Sequence, residues 1–176
     1  MRILLAVMIM ITLPGCGTAR DPITTVAHVD LERFMGRWYV IANIPTSLER
    51  DAHNAIESYQ LEPDGTIATT FTFNKGSFDG PARRYTPRGF VKDRQSNAVW
   101  GMRFVWPVKS DYRIVHVDET YTVTVIGRQK RDYVWLMART PVIPEDAYQG
   151  LLQIVAREGY DLSKVRRVPQ EQAGSP

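Results

Sequence analysis

Between residues 36 and 139, apolar and polar residues alternate in short bursts rather than in helical stripes. The clearest burst is 66–73, where Ile67, Thr69, Phe71 and Phe73 share one face and Ala68, Thr70 and Thr72 the other. A period of two marks a half-buried strand, because successive side chains leave opposite faces of the pleat. Seven further segments read as strands: 36–44, 54–61, 84–92, 99–106, 112–117, 121–126 and 132–139. In the first, Trp38 shares its face with Val40 and Ala42; in 99–106, Trp100, Met102 and Phe104 share one. Glu62-Pro63-Asp64-Gly65 is a turn with a mechanism, since Pro presets φ and Gly accepts φ > 0. Tight connections at 118–119 and 127–130 make the last three strands an antiparallel meander. Eight strands at roughly 8–12-residue spacing predict an all-β up-and-down barrel or a sandwich.

The period then changes. Pro144-Glu145-Asp146 starts a helix, with Pro in its first turn and acids suited to the helix dipole. Ala147, Leu151, Ile154 and Val155 form its apolar stripe, and Gly159 ends it. A single amphipathic helix after eight strands must lay that stripe on the outside of the sheet. Residues 165–168 read as a short returning edge strand.

Ahead of the strands stands one unbroken apolar run, 3–13, preceded by Arg2 and followed by Cys16. A bilayer span needs about 20 apolar residues, so this run is a secretory signal rather than a membrane helix. The context Leu13-Pro14-Gly15-Cys16-Gly17 resembles the lipobox of bacterial lipoproteins. That resemblance implies cleavage before Cys16, a diacylglycerol on its thiol, and an acyl chain such as palmitate on the new amino terminus. The competing reading is an ordinary signal peptide with an incidental cysteine. Gly17 stands where an Asp would signal inner-membrane retention in such lipoproteins, which favours the outer membrane and its periplasmic face. Residues 18–27 read as a polar tether. As the chain's one cysteine, Cys16 excludes an intrachain disulfide, a cysteine-ligated metal and a barrel cysteine nucleophile.

Charge changes the picture little. The chain carries +3, Arg2 leaves with the signal, and the remaining basic residues are interspersed with acids, so nothing points to nucleic acid.

Gly36-Arg37-Trp38-Tyr39 is similar to the Gly-x-Trp signature at the first strand of lipocalins. Residues 118–121 lie where that family carries its second motif, and Arg139-Thr140-Pro141 resembles the third. The run 131–141 and the helix segment ending Ala156-Arg157-Glu158-Gly159-Tyr160-Asp161 resemble the bacterial outer-membrane lipoprotein lipocalins and their apolipoprotein D-like relatives. The resemblance covers residues 31 to about 170 and implies an eight-stranded barrel with one C-terminal helix outside it. The expected division is 1–15 signal peptide, 16–28 lipidated tether, 29–170 barrel and helix, 171–176 flexible tail. Gly36, Trp38 and Arg139 are expected to be structural, with the guanidinium on the indole where the barrel closes.

Such a barrel holds one small ligand. The expected lumen set is Tyr59, Phe71, Phe73, Trp100, Met102, Phe104, Tyr112, Ile114 and Trp135, whose aromatic and aliphatic character suits an acyl chain. Arg83, Arg84 and Arg88 could meet a head group or form a solvated strand edge. The resemblance implies a membrane-anchored protein that binds and carries or stores fatty acids or lysophospholipids for envelope maintenance. Homodimers occur in the subgroup; nothing in these residues decides for one. Two other classes remain. An enzyme is disfavoured: His28, His53 and His116 are scattered, with no nucleophile elbow, metal-ligand spacing or cofactor motif. A docking lipoprotein with a filled barrel, meeting a protein partner at its rim, differs from a carrier in the state of its lumen.

Overall fold

The computed structural model describes residues 21–171. Cys16, the signal run 1–15 and residues 172–176 lie outside the described residues. The strands are β1 Gly36–Ile44, β2 Ala52–Leu61, β3 Thr66–Lys75, β4 Ala82–Tyr85, β5 Arg88–Val91, β6 Val99–Val105, β7 Val108–Val117, β8 Val123–Gly127 and β9 Val134–Ala138. Each pairs antiparallel with its neighbours, and β9 returns to β1 through Tyr39–Ala138 and Ile44–Val134. That last pairing closes a barrel and rules out the sandwich. β4 and β5 are two halves of one stave: both pair with β3, and Pro87, which has no N–H to give, sits at the break between them. The barrel therefore has eight staves. A short helix α1, Leu31–Phe34, precedes β1. Helix α2, Glu145–Arg157, follows β9, and a two-residue strand β10, Arg166–Arg167, adds to the edge of β1 at Ala42–Asn43.

Strand alternation sorts the side chains into two cores. Trp38, Val40, Tyr59, Phe71, Trp100, Tyr112 and Ile114 belong to the inner core. Ile41, Val125, Leu136 and Ala138 face outward and are covered by Tyr148, Leu151 and Val155 of α2. The helix stripe is thus centred on Tyr148 rather than Ala147, and Ile154 flanks it half-buried. Gly159 lies at φ +80, and Tyr160 N–H returns to the Val155 carbonyl, which closes the helix end.

Two expectations are corrected. Ala42 does not share the inward face of Trp38 and Val40. A bulge in the β1–β9 pairing after Val40 reverses the parity, so Ala42 joins the core beneath α2, and Asn43 is buried on the other side. Nor is the chain a free tether up to residue 28. Ile23 is buried with the helix core, Val26 N–H donates to the Ile114 carbonyl at 3.1 Å, and Val29 N–H donates to the Ser96 carbonyl at 2.7 Å. The apolar side chains of Ile23 and Val26 gain more by lying on the barrel than by staying in water.

One end of the barrel is closed by α1 and Arg139. The Arg139 guanidinium lies 3.7 Å from the Trp38 ring and donates to the carbonyls of Arg37 at 2.8 Å, Arg33 at 2.7 Å and Tyr121 at 3.1 Å. Trp38 Nε1 donates to the Phe34 carbonyl at 2.8 Å. Gly36 sits at φ +90, a backbone conformation that favours glycine, beside the Arg139 guanidinium.

Candidate functional site

At the opposite end, between the loops 45–51, 106–107 and 128–133, the lumen opens into a cavity of about 200 Å³. Five of the nine expected lumen residues line it: Phe71, Met102, Phe104, Tyr112 and Trp135. Tyr59, Trp100 and Ile114 are buried below it. Trp100 stacks on Tyr112 with centroids 5.2 Å apart and meets Phe34 edge-on at 5.6 Å. They form the floor between the cavity and the closed end. Phe73 is buried beside Phe71 and stacks on Tyr85, whose ring reaches the lining from β4. Phe104 is at the rim and 52% exposed, so it is only partly a lumen residue.

The lining also contains residues not in the expected set. Tyr85, Tyr133 and Leu48 extend the apolar wall. Two carboxyl groups face the same space. Glu57 comes from β2, two residues before Tyr59, and therefore points the same way. Its carboxylate accepts from the Tyr59 hydroxyl, which lies 2.6 Å from the Tyr112 hydroxyl. Burial, reinforced by the negative charge of Glu49, pushes the Glu57 carboxyl up to about 8. The solvent-accessible part of this half-buried residue faces the lumen, so its surroundings are those of the cavity rather than of bulk water. Glu49, from the β1–β2 loop, is buried and accepts from Trp135 Nε1 at 2.7 Å, Asn43 Nδ2 at 2.9 Å and Thr46 Oγ1 at 2.7 Å. Burial raises it too, against the pull of those three donors.

Arg83 and Arg84 lie exposed on β4 and do not line the cavity. Arg88 does not line it either: it is bonded to Thr66 Oγ1 and lies 3.6 Å from Asp64. The basic residue in the lining is Arg128, from the β8–β9 loop, paired with Asp132 at 3.3 Å. His28 lies against the Gln95 carbonyl, His53 against the Phe78 ring, and His116 near Asp118, well apart. Among the described residues no three His, Cys, Asp or Glu side chains gather as a metal site.

Around the mouth, the β6–β7 hairpin tip leaves Phe104, Val105, Trp106 and Val108 between 52% and 78% exposed, flanked by Arg103 and Lys109. The first described residue is at this end as well: the Asp21 carbonyl accepts from Arg131 Nη2 at 3.0 Å.

A closed antiparallel barrel with a blocked floor and one mouth defines a protein that encloses a small ligand. The comparisons agree. The family model for the lipocalin-like domain matches residues 29–170, and the chain belongs to that family. It is 31% identical to temperature-induced lipocalin-1 of Arabidopsis thaliana over 159 residues, covering 87% of this chain and 86% of that one. It is 28% identical to the outer membrane lipoprotein Blc of Escherichia coli K12 over 89% of each chain, and 25% identical to bovine apolipoprotein D over 78% of this chain and 75% of that one. The solved structure of insecticyanin from the tobacco hornworm Manduca sexta superposes with a TM-score of 0.69 at 15% identity, over 89% of this chain and 88% of that one, which shows the fold. The protein is a lipocalin of the Blc and apolipoprotein D type.

Proposed function

We propose that the protein is a lipid-anchored outer-membrane lipocalin that holds a single-chain amphiphile, a fatty acid or a lysophospholipid, in its lumen for envelope maintenance. The observation that carries this reading is the open cavity walled by Leu48, Phe71, Met102 and Trp135. Burying chain methylenes there is favourable by roughly 0.8 kcal/mol each before the entropy costs of binding. An open lumen also speaks against a docking lipoprotein with a filled barrel. Its modest volume suits one slender chain.

The anchor reading rests on the Cys16 context and on the Blc relatives, which are outer membrane lipoproteins by name. Four residues lie between Cys16 and Asp21, five chain steps with a reach of at most about 18 Å. Since Asp21 is tied to Arg131 beside the mouth, that reach brings the acyl chains to the mouth end. There the apolar hairpin tip suits a lipid surface, with the mouth turned towards it.

The test is titration of the chain from Gly17 with dodecanoate and with lysophosphatidylcholine below their micelle concentrations, following tryptophan fluorescence. Saturable quenching near one ligand per protein, weakened in Trp135→Phe, is the expected result. No binding by either ligand overturns the carrier reading and favours the docking one.

A further inference from the structure

The cavity is not uniformly apolar, and the place of its polar groups says which end of a ligand goes in first. We propose that its inner end is a cation site: the preferred ligand is a single-chain amphiphile whose protonated amine leads and settles against Glu57. This rests on the reading of the lumen as the binding site for a lipophilic ligand.

The apolar walls of the cavity are Leu48, Phe71, Met102, Phe104 and Trp135. Glu57, paired across the strands with Phe71, joins Tyr59 and Tyr112 in one hydrogen-bonded cluster beside the buried Trp100. A hydrocarbon tail pushed to that depth would cover a carboxyl and a phenol and give them nothing in return. A carboxylate end would meet the negative charge of Glu49 and draw no opposite charge from the protonated Glu57. An ammonium end brings further donors and the opposite charge.

The charges facing the lumen favour the same choice. Glu49 and Glu57 are close enough for the first to raise the second. Asp111 also lines the cavity, bonded to Arg113 at 3.0 Å. Arg128, the one cation in the lining, is paired with Asp132. Two carboxyls sharing a poorly solvated space relieve their repulsion by holding a proton, which in the empty lumen sits on Glu57. An incoming ammonium takes over that role. Glu57 gives its proton to solvent, and the cation pairs with the carboxylate left behind.

All the packing and hydrogen bonds described above lie within residues 21–171, so the chain from Gly17 retains them. Three probes of equal chain length separate the possibilities at pH 7: dodecylamine, which is fully protonated there, dodecanol and dodecanoate. Titration calorimetry in two buffers of different ionisation enthalpy gives the affinity and the protons released. The expected result is dodecylamine binding at least about tenfold more tightly than dodecanol, a gap of about 1.4 kcal/mol, with close to one proton released. Glu57→Gln should bring the amine to the level of the alcohol, with a cooperative urea transition reporting a folded barrel. Equal affinity for amine and alcohol, or a preference that survives Glu57→Gln, overturns the proposal but leaves the carrier reading standing. Binding of none of the three overturns both.

Discussion

Glu57 should make the stability of this barrel fall as pH rises. In the folded protein its carboxyl titrates near 8, against 4.5 for an ordinary glutamate, because burial and the charge of Glu49 disfavour ionisation. Below pH 4.5 both states hold the proton, and Glu57 imposes no penalty. Between 4.5 and about 8 the folded state holds it and the unfolded chain does not, so stability declines with pH; above 8 the loss is complete. The slope is about 1.4 kcal/mol per pH unit, which over this window amounts to about 5 kcal/mol. Water in the open lumen screens part of this and leaves about 2–4 kcal/mol. Glutamine keeps the shape and donor capacity of the protonated acid without the charge. Urea denaturation of the protein and of Glu57→Gln at pH 5, 6, 7, 8 and 9 should therefore give similar midpoints at pH 5. By pH 9 the variant should be the more stable by about 2–4 kcal/mol, with the gap opening between 4.5 and about 8. Parallel profiles for the two proteins would refute the burial argument, because no other change between them depends on pH.

Three further outcomes are expected. Arg139→Ala should cost about 2–4 kcal/mol by thermal or urea unfolding and red-shift the tryptophan emission, since Trp38 loses its stacked cation and three carbonyls lose their donor. Asp118 is held at about 2: partial burial opposes its charge, but hydrogen bonds from Thr120, Val123 and Thr122 outweigh that effect. It therefore stabilises the fold above its ordinary value of 3.8, and the contribution disappears as pH falls through about 2. Asp118→Ala should lose about 1–2 kcal/mol at pH 7 and almost nothing at pH 2, read from denaturant midpoints. Trp106→Ser should leave the unfolding midpoint within about 0.5 kcal/mol, because the side chain is exposed, yet lower co-sedimentation of the chain from Gly17 with anionic vesicles several-fold; undiminished co-sedimentation would remove the hairpin tip from any membrane contact.

Where the chain alternates without interruption, the sequence is enough to sort inside from outside. Trp100, Met102, Tyr112 and Ile114 could all be placed because β6 and β7 keep their parity through the barrel's middle. Parity fails where an extra residue enters: the bulge after Val40 exchanges Ala42 for Asn43, and no local propensity marks it. Proline marks a break more openly, and Pro87 divides a stave that reads as one run in the sequence. The wall residues Leu48, Glu49, Arg128 and Tyr133 come from loops, where no period exists to assign a direction. Glu57 is different. Its inward direction follows from that of Tyr59 two positions on, so the sequence contains the geometry; what hides it is the expectation that an acid belongs on the outer, solvated face. An acid retained at an inward position of a small barrel, beside two phenols and facing a second carboxyl, costs stability at neutral pH and above. Packing alone would place a leucine or methionine there. The cost makes sense if a ligand offsets it, which is why the polar floor carries more information about the ligand than the apolar walls above it.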